Sequence, residues 1–198
     1  MPAFPTLKRW MLFVDGENLT LRAQEVLHQA GADPIEGKCW RRDCFIWNPN
    51  TVGTGRLYDA VSLDWNSIRS YYYTSLTGDE PALEGVRRHL WELQFTPRVF
   101  KKTRQSEKAK GVDVSLTKDM LSHAFNNHYD VGFLMAGDGD YVPLVEEVKH
   151  LGKQVTVAFF SESAGLSAAL KLAADRYYDI TEGFVKGWGG KGIRERLK

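Results

Sequence analysis

Cysteine is scarce in this chain. Only Cys39 and Cys44 occur, in a C-x4-C spacing with no second pair and no spaced histidines to complete a tetrahedral zinc site. Neither a disulfide framework nor a structural zinc is therefore expected to hold the fold. Long apolar runs are missing as well: no stretch approaches the roughly 18 residues needed to span a bilayer. The opening MPAFPTLKRW lacks the charged-then-apolar pattern of a signal peptide. A cytoplasmic protein with reduced thiols and no membrane partner is expected. Net charge is nearly absent, at +1, so the total says nothing about a polyanionic partner and only its distribution can. No glycine-rich P-loop and no G-x-S-x-G turn occurs, which leaves nucleotide-cradling and serine-hydrolase chemistry without their residues.

What is present suits one globular domain. At 198 residues and 43% hydrophobic content, the chain can bury roughly 70% of its unfolded surface. The domain is expected over residues 1–186, followed by a basic, glycine-rich tail over 187–198. No internal repeat or low-complexity tract divides it. Positive charge is concentrated in two places. Arg98, Lys101, Lys102, Arg104, Lys108 and Lys110 stand against the single acid Glu107, and Lys186, Lys191, Arg194, Arg196 and Lys198 stand against Glu195.

Hydrophobic periodicity outlines the elements. Trp10 to Val14 is an apolar run that ends at Asp15-Gly16 and reads as a buried strand. From Glu17 to Ala30, Leu19, Ala23, Val26 and Leu27 share one helical face. Residues 39–63 mix strand and loop signals and resist assignment. Further on, strands are expected at 68–76, 97–102, 131–136, 154–160 and 177–180. Helices are expected at 80–95, 112–125, 141–151 and 166–174. Strands alternating with helices of this length imply a three-layer α/β/α sandwich around a mainly parallel sheet.

In such a sheet, ligands bind outside the carboxyl ends of the strands, where the strand order reverses. Asp15 ends the first strand, and Asp138 and Asp140 follow Leu134-Met135-Ala136-Gly137. Neighbouring placement of these two strands would bring three carboxylates together. Asp113 opens the 112–125 helix and can join them. Each acid alone has a plainer reading: Asp113 suits a helix amino terminus, and Asp138 or Asp140 can cap the helix near Tyr141. Capping, however, does not require all of them to fall on the ligand-binding side. Clustered carboxylates repel unless protonated or neutralised by a cation, and oxygen-only ligands favour Mg2+ or Mn2+. Metal-assisted phosphodiester hydrolysis is the reaction class that follows. An EF-hand beginning at Asp138 is excluded, because its sixth and twelfth positions are Pro143 and Lys149. A haloacid-dehalogenase phosphatase needs Asp-x-Asp after the first strand, whereas Asp15 is followed by Gly16-Glu17.

The segments FVDGENL (13–19), KGVDVSLTKDML (110–121), FLMAGDGDYVPLVEEVKHLGKQVTV (133–157) and LAADRYYDIT (172–181) resemble, in order, the signatures of the NYN (LabA-like) family. The resemblance implies a PIN-like fold and a nuclease acting on RNA, with Asp15, Asp113, Asp138 and Asp140 as its metal-binding acids. It also implies supporting places for Asn18 and Asp119. Asp119 lies some 120° around its helix from Asp113 at about 100° per residue, which suits support or an ion pair better than ligation. Lys101, Lys102, Arg104, Lys108 and Lys110 are the candidate contacts to a nucleic-acid backbone. A homo-oligomer is compatible with the sequence, and so is a regulatory nucleic-acid-binding module with the same fold.

Overall fold

The computed structural model of the chain describes residues 8–31, 67–102, 111–161 and 164–189. The ambiguous 39–63 segment, Cys39, Cys44, Arg104, Lys108, Lys110 and residues 190–198 lie outside the described residues. The run WMLFVD forms β1 (Trp10–Asp15), buried along its whole length. The chain turns at once into α1 (Gly16–Gln29), which buries Leu19, Ala23, Val26 and Leu27. There follow β2 (Arg69–Thr77), α2 (Glu80–Glu92), β3 (Thr96–Lys102), α3 (Val112–Phe125) and β4 (Val131–Met135). A single 3-10 turn (Gly139–Tyr141) leads into α4 (Val142–His150), then β5 (Gln154–Phe159), α5 (Ala168–Ala173), β6 (Arg176–Asp179) and α6 (Thr181–Gly189).

The six strands form one parallel sheet in the order β3-β2-β1-β4-β5-β6. The chain winds outward from β1 to β3, returns through α3 to lay β4 against the free side of β1, and winds outward again. Strand order therefore reverses between β1 and β4, and in sheets of this kind the ligand crevice lies above the carboxyl ends of those two strands. Helices cover both faces, as a parallel sheet requires. On one face Phe13 stacks on Tyr71 with ring centroids 5.7 Å apart, and Tyr129 and His123 pack over Phe13. On the other, Trp10 meets Phe133 edge-on at 5.2 Å. Because side chains alternate along a strand, Asp15 faces the same side as Phe13, the side on which α3 lies. Tyr71, Tyr72 and Tyr73 are all buried, pointing alternately into the two layers.

One element departs from the sequence reading. Residues 181–189 form α6 although Gly183, Gly187 and Gly189 all disfavour a helix. Tertiary packing overrides the propensity. Phe184 is fully buried with its ring edge-on to Phe160 at 5.1 Å, α6 touches α1, and the Thr181 N–H donates to Asp179 Oδ1 at 2.9 Å. Among the described residues, no helix is long and apolar enough to cross a membrane.

Candidate active site

Asp15 is the last residue of β1 and only 4% exposed. Its Oδ1 accepts the Asn18 N–H at 3.0 Å, capping α1, and its Oδ2 accepts the Tyr141 hydroxyl at 2.8 Å. The same phenol oxygen lies 3.1 Å from Oδ1 of Asp113, an exposed residue in the first turn of α3. Three separated segments thus meet on one oxygen atom, directly over the point where strand order reverses. A phenol has a single hydrogen and can serve only one of the two carboxylates at a time. The one hydrogen is therefore shared between two carboxylates. Burial pushes the Asp15 carboxyl up to about 6 from its ordinary 3.8, and Asp113 and Glu17 push in the same direction. The Asn18 N–H and the Tyr141 hydroxyl pull it partly back. Burial and the two carboxylates hold the Tyr141 phenol far above its usual range, so it remains a donor.

Asp138 and Asp140 belong to the exit of β4. Asp138 Oδ1 accepts the Asp140 N–H at 3.1 Å and so caps the 3-10 turn, while Asp140 is exposed within that turn. Asn18 ties this loop to α1: its Oδ1 accepts the Gly137 N–H at 2.9 Å. Glycine is required here by close approach. A Cβ on Gly137 would stand 2.3 Å from Phe159 Cε1 and 2.8 Å from the Gly165 carbonyl oxygen. The structure brings Asp15 and Asp113 together through Tyr141 and holds the Asp138 loop against α1 through Asn18. Among the described residues, no three His, Cys, Asp or Glu side chains are already arranged as a metal-binding cluster.

Asp119 accepts the Tyr73 hydroxyl at 3.0 Å and the Arg98 Nε–H at 3.1 Å, bracing α3 against β2 and β3. Lys101 is exposed near the end of β3. Lys102 instead directs its ammonium to Glu17, whose other oxygen accepts the Ser75 hydroxyl at 2.7 Å. Sequence reasoning missed Glu17 and Tyr141. Tyr141 lies inside the GDGDY segment, and its aromatic ring directly after the two acids was the available signal. Glu17 had no signal, because its partners arrive from β2 and β3.

The model of the NYN domain matches residues 9–181. This chain belongs to the NYN domain family. The NYN domain carries a nuclease-like fold, and the six-stranded parallel sheet described above agrees with a PIN-like sandwich. The structure is also similar to the crystal structure of a protein of unknown function, VPA0982, from Vibrio parahaemolyticus. The TM-score is 0.57 and the identity 22%, covering 89% of this chain and 95% of that one. That likeness speaks for the fold alone. No curated protein matches the sequence.

Proposed function

We propose that this NYN domain is a ribonuclease that hydrolyses phosphodiester bonds with the help of Mg2+ or Mn2+. The observation that carries the reading is the meeting of Asp15, Asp113 and Tyr141 over the crevice between β1 and β4. The donor set fits such an ion. Magnesium takes one or two carboxylates and fills its remaining positions with water and substrate phosphate oxygens. Asp15 and Asp113 are two carboxylates that repel each other across one shared phenol, and a bound cation would relieve that repulsion. Asp15 and Asp113 would hold the ion, and Asp138 and Asp140, on the loop that follows β4, are the further acids of this reading. When bound, a divalent cation polarises the phosphodiester and lowers the pKa of water.

The chain's own residues supply position and charge. The Asn18 N–H and the Tyr141 hydroxyl fix the two oxygens of Asp15. The Asn18 side chain keeps the β4 exit against α1. Lys101, together with Arg104, Lys108 and Lys110 of the following segment, offers cations to a nucleic-acid backbone.

A second reading is a nucleic-acid-binding regulatory module. It draws on the capping role of Asp138 Oδ1, which directs that oxygen to the backbone of its own turn. Labelled single-stranded RNA incubated with Mn2+, Mg2+ or chelator separates the two. Metal-dependent cleavage by the wild type that disappears in Asp113→Asn and Asp138→Asn, with folding intact, supports the nuclease. Binding without cleavage across RNA and DNA substrates supports the module.

A further inference from the structure

A pair of histidines closes the opposite end of α3. His123 lies ten residues beyond Asp113, about 15 Å along the helix at about 1.5 Å per residue. The helix ends in a Schellman arrangement. The His128 N–H donates to the His123 carbonyl at 2.9 Å, the Asn127 N–H donates to the Ala124 carbonyl at 3.0 Å, and Asn127 takes the left-handed φ of 55°. This motif brings the side chains of its first and last residues into contact, usually as an apolar pair. Here both are imidazoles, and their Nδ1 atoms stand 2.9 Å apart.

We propose that His123 and His128 form a site for an imidazole-preferring divalent transition metal ion, such as Zn2+ or Cu2+, bound between their Nδ1 atoms. Two observations converge on it. The two nitrogens are held on a closed backbone frame, so little freedom remains to be lost on binding. The far nitrogen of His123, Nε2, lies 2.9 Å from the Tyr71 hydroxyl oxygen, the outer partner that orients a ligating imidazole and selects its tautomer.

In the free protein one of the two Nδ1 atoms donates its hydrogen to the other. In the metal-bound form that bond is given up, the donor ring moves its hydrogen to Nε2, and each neutral ring then carries its one hydrogen there. The His123 Nε2–H then points to the Tyr71 oxygen, and no net proton is released. The environment is mixed: Arg69 and Arg98 oppose a cation near His123, while Asp119 favours it and already pairs with Arg98 at 3.1 Å. His128 is exposed, which leaves the remaining coordination positions to water. Imidazole donors suit zinc and copper, whereas Mg2+ prefers oxygen, so this site and the carboxylate crevice select different ions.

Calorimetric titration of the full chain with Zn2+ tests the pair, comparing the wild type with His128→Gln, a change at an exposed position. The wild type should take up one more equivalent than the variant, and its thermal midpoint should rise with Zn2+ while the variant's does not. Tyr71→Phe should weaken that uptake about tenfold by removing the orienting partner. Asp15→Asn should leave it unchanged, which keeps the result independent of the nuclease reading. Electron paramagnetic resonance with Cu2+ should show a two-nitrogen ligand set in the wild type that is lost in His128→Gln. Equal Zn2+ stoichiometry in wild type and His128→Gln, or identical Cu2+ spectra, would overturn the proposal.

Discussion

Replacing Asp15 by Asn should stabilise the protein at alkaline pH and leave it nearly unchanged in acid. The native fold pushes the Asp15 carboxyl up to about 6 from 3.8, chiefly by burying it. A raised carboxyl means that the folded chain binds the proton more tightly than the unfolded chain does. The stabilising contribution is full below about pH 3.8 and fades as pH rises through about 6. Above that, the wild type carries an ionised, buried carboxylate at a cost of about 3 kcal/mol, from a shift of about two units at ~1.4 kcal/mol each. Asparagine removes the charge, and its side-chain oxygen can still cap α1, a role at which Asn and Asp are nearly equal. For a chain of this size each kcal/mol moves the midpoint by about 2–4 °C. Differential scanning calorimetry should therefore show the variant about 6–12 °C above the wild type at pH 8 and the two within about 2 °C at pH 4. Saturating Mg2+ should narrow the gap at pH 8, because only the carboxylate gains a partner. A variant destabilised at pH 8, or a gap that does not depend on pH, would refute the argument.

Two further perturbations probe the supports of the crevice. Gly137→Ala places a methyl group against Phe159 and the Gly165 carbonyl, so urea unfolding should show a loss of about 1–3 kcal/mol together with reduced RNA cleavage. An unchanged urea midpoint would mean that the β4 exit is looser than the structure describes. Lys102→Met leaves Glu17, only 19% exposed at its side chain, without its ammonium and should cost about 1–3 kcal/mol. The double variant Glu17→Gln/Lys102→Met should recover much of that loss, and strict additivity in the double-mutant cycle would sink the pairing.

How far the sequence reaches can be judged element by element. The four-residue spacing of Val112, Leu116, Met120 and Ala124 marks a helix whose limits agree with α3 at both ends, because one-sided burial is a local, periodic property. The same reasoning locates β1, β4 and β5 to within a residue or so at each end. It fails at α6, where three glycines argue against a helix and Phe184, packed on Phe160 from another strand exit, supplies the stability. The acids of the site were legible one at a time, as Asp15 after an apolar run and Asp138 beside Gly137. Their convergence was an expectation conditional on the two strands being neighbours, and the contacts that relate them were not legible. That Asp113 shares a phenol with Asp15, that Asn18 holds Gly137, and that Lys102 answers Glu17 rather than solvent all depend on which strands are neighbours. Periodicity along the chain decides which face of an element is buried. The order β3-β2-β1-β4-β5-β6 is decided by packing between segments far apart in sequence, and that order selects which side chains meet above the crevice.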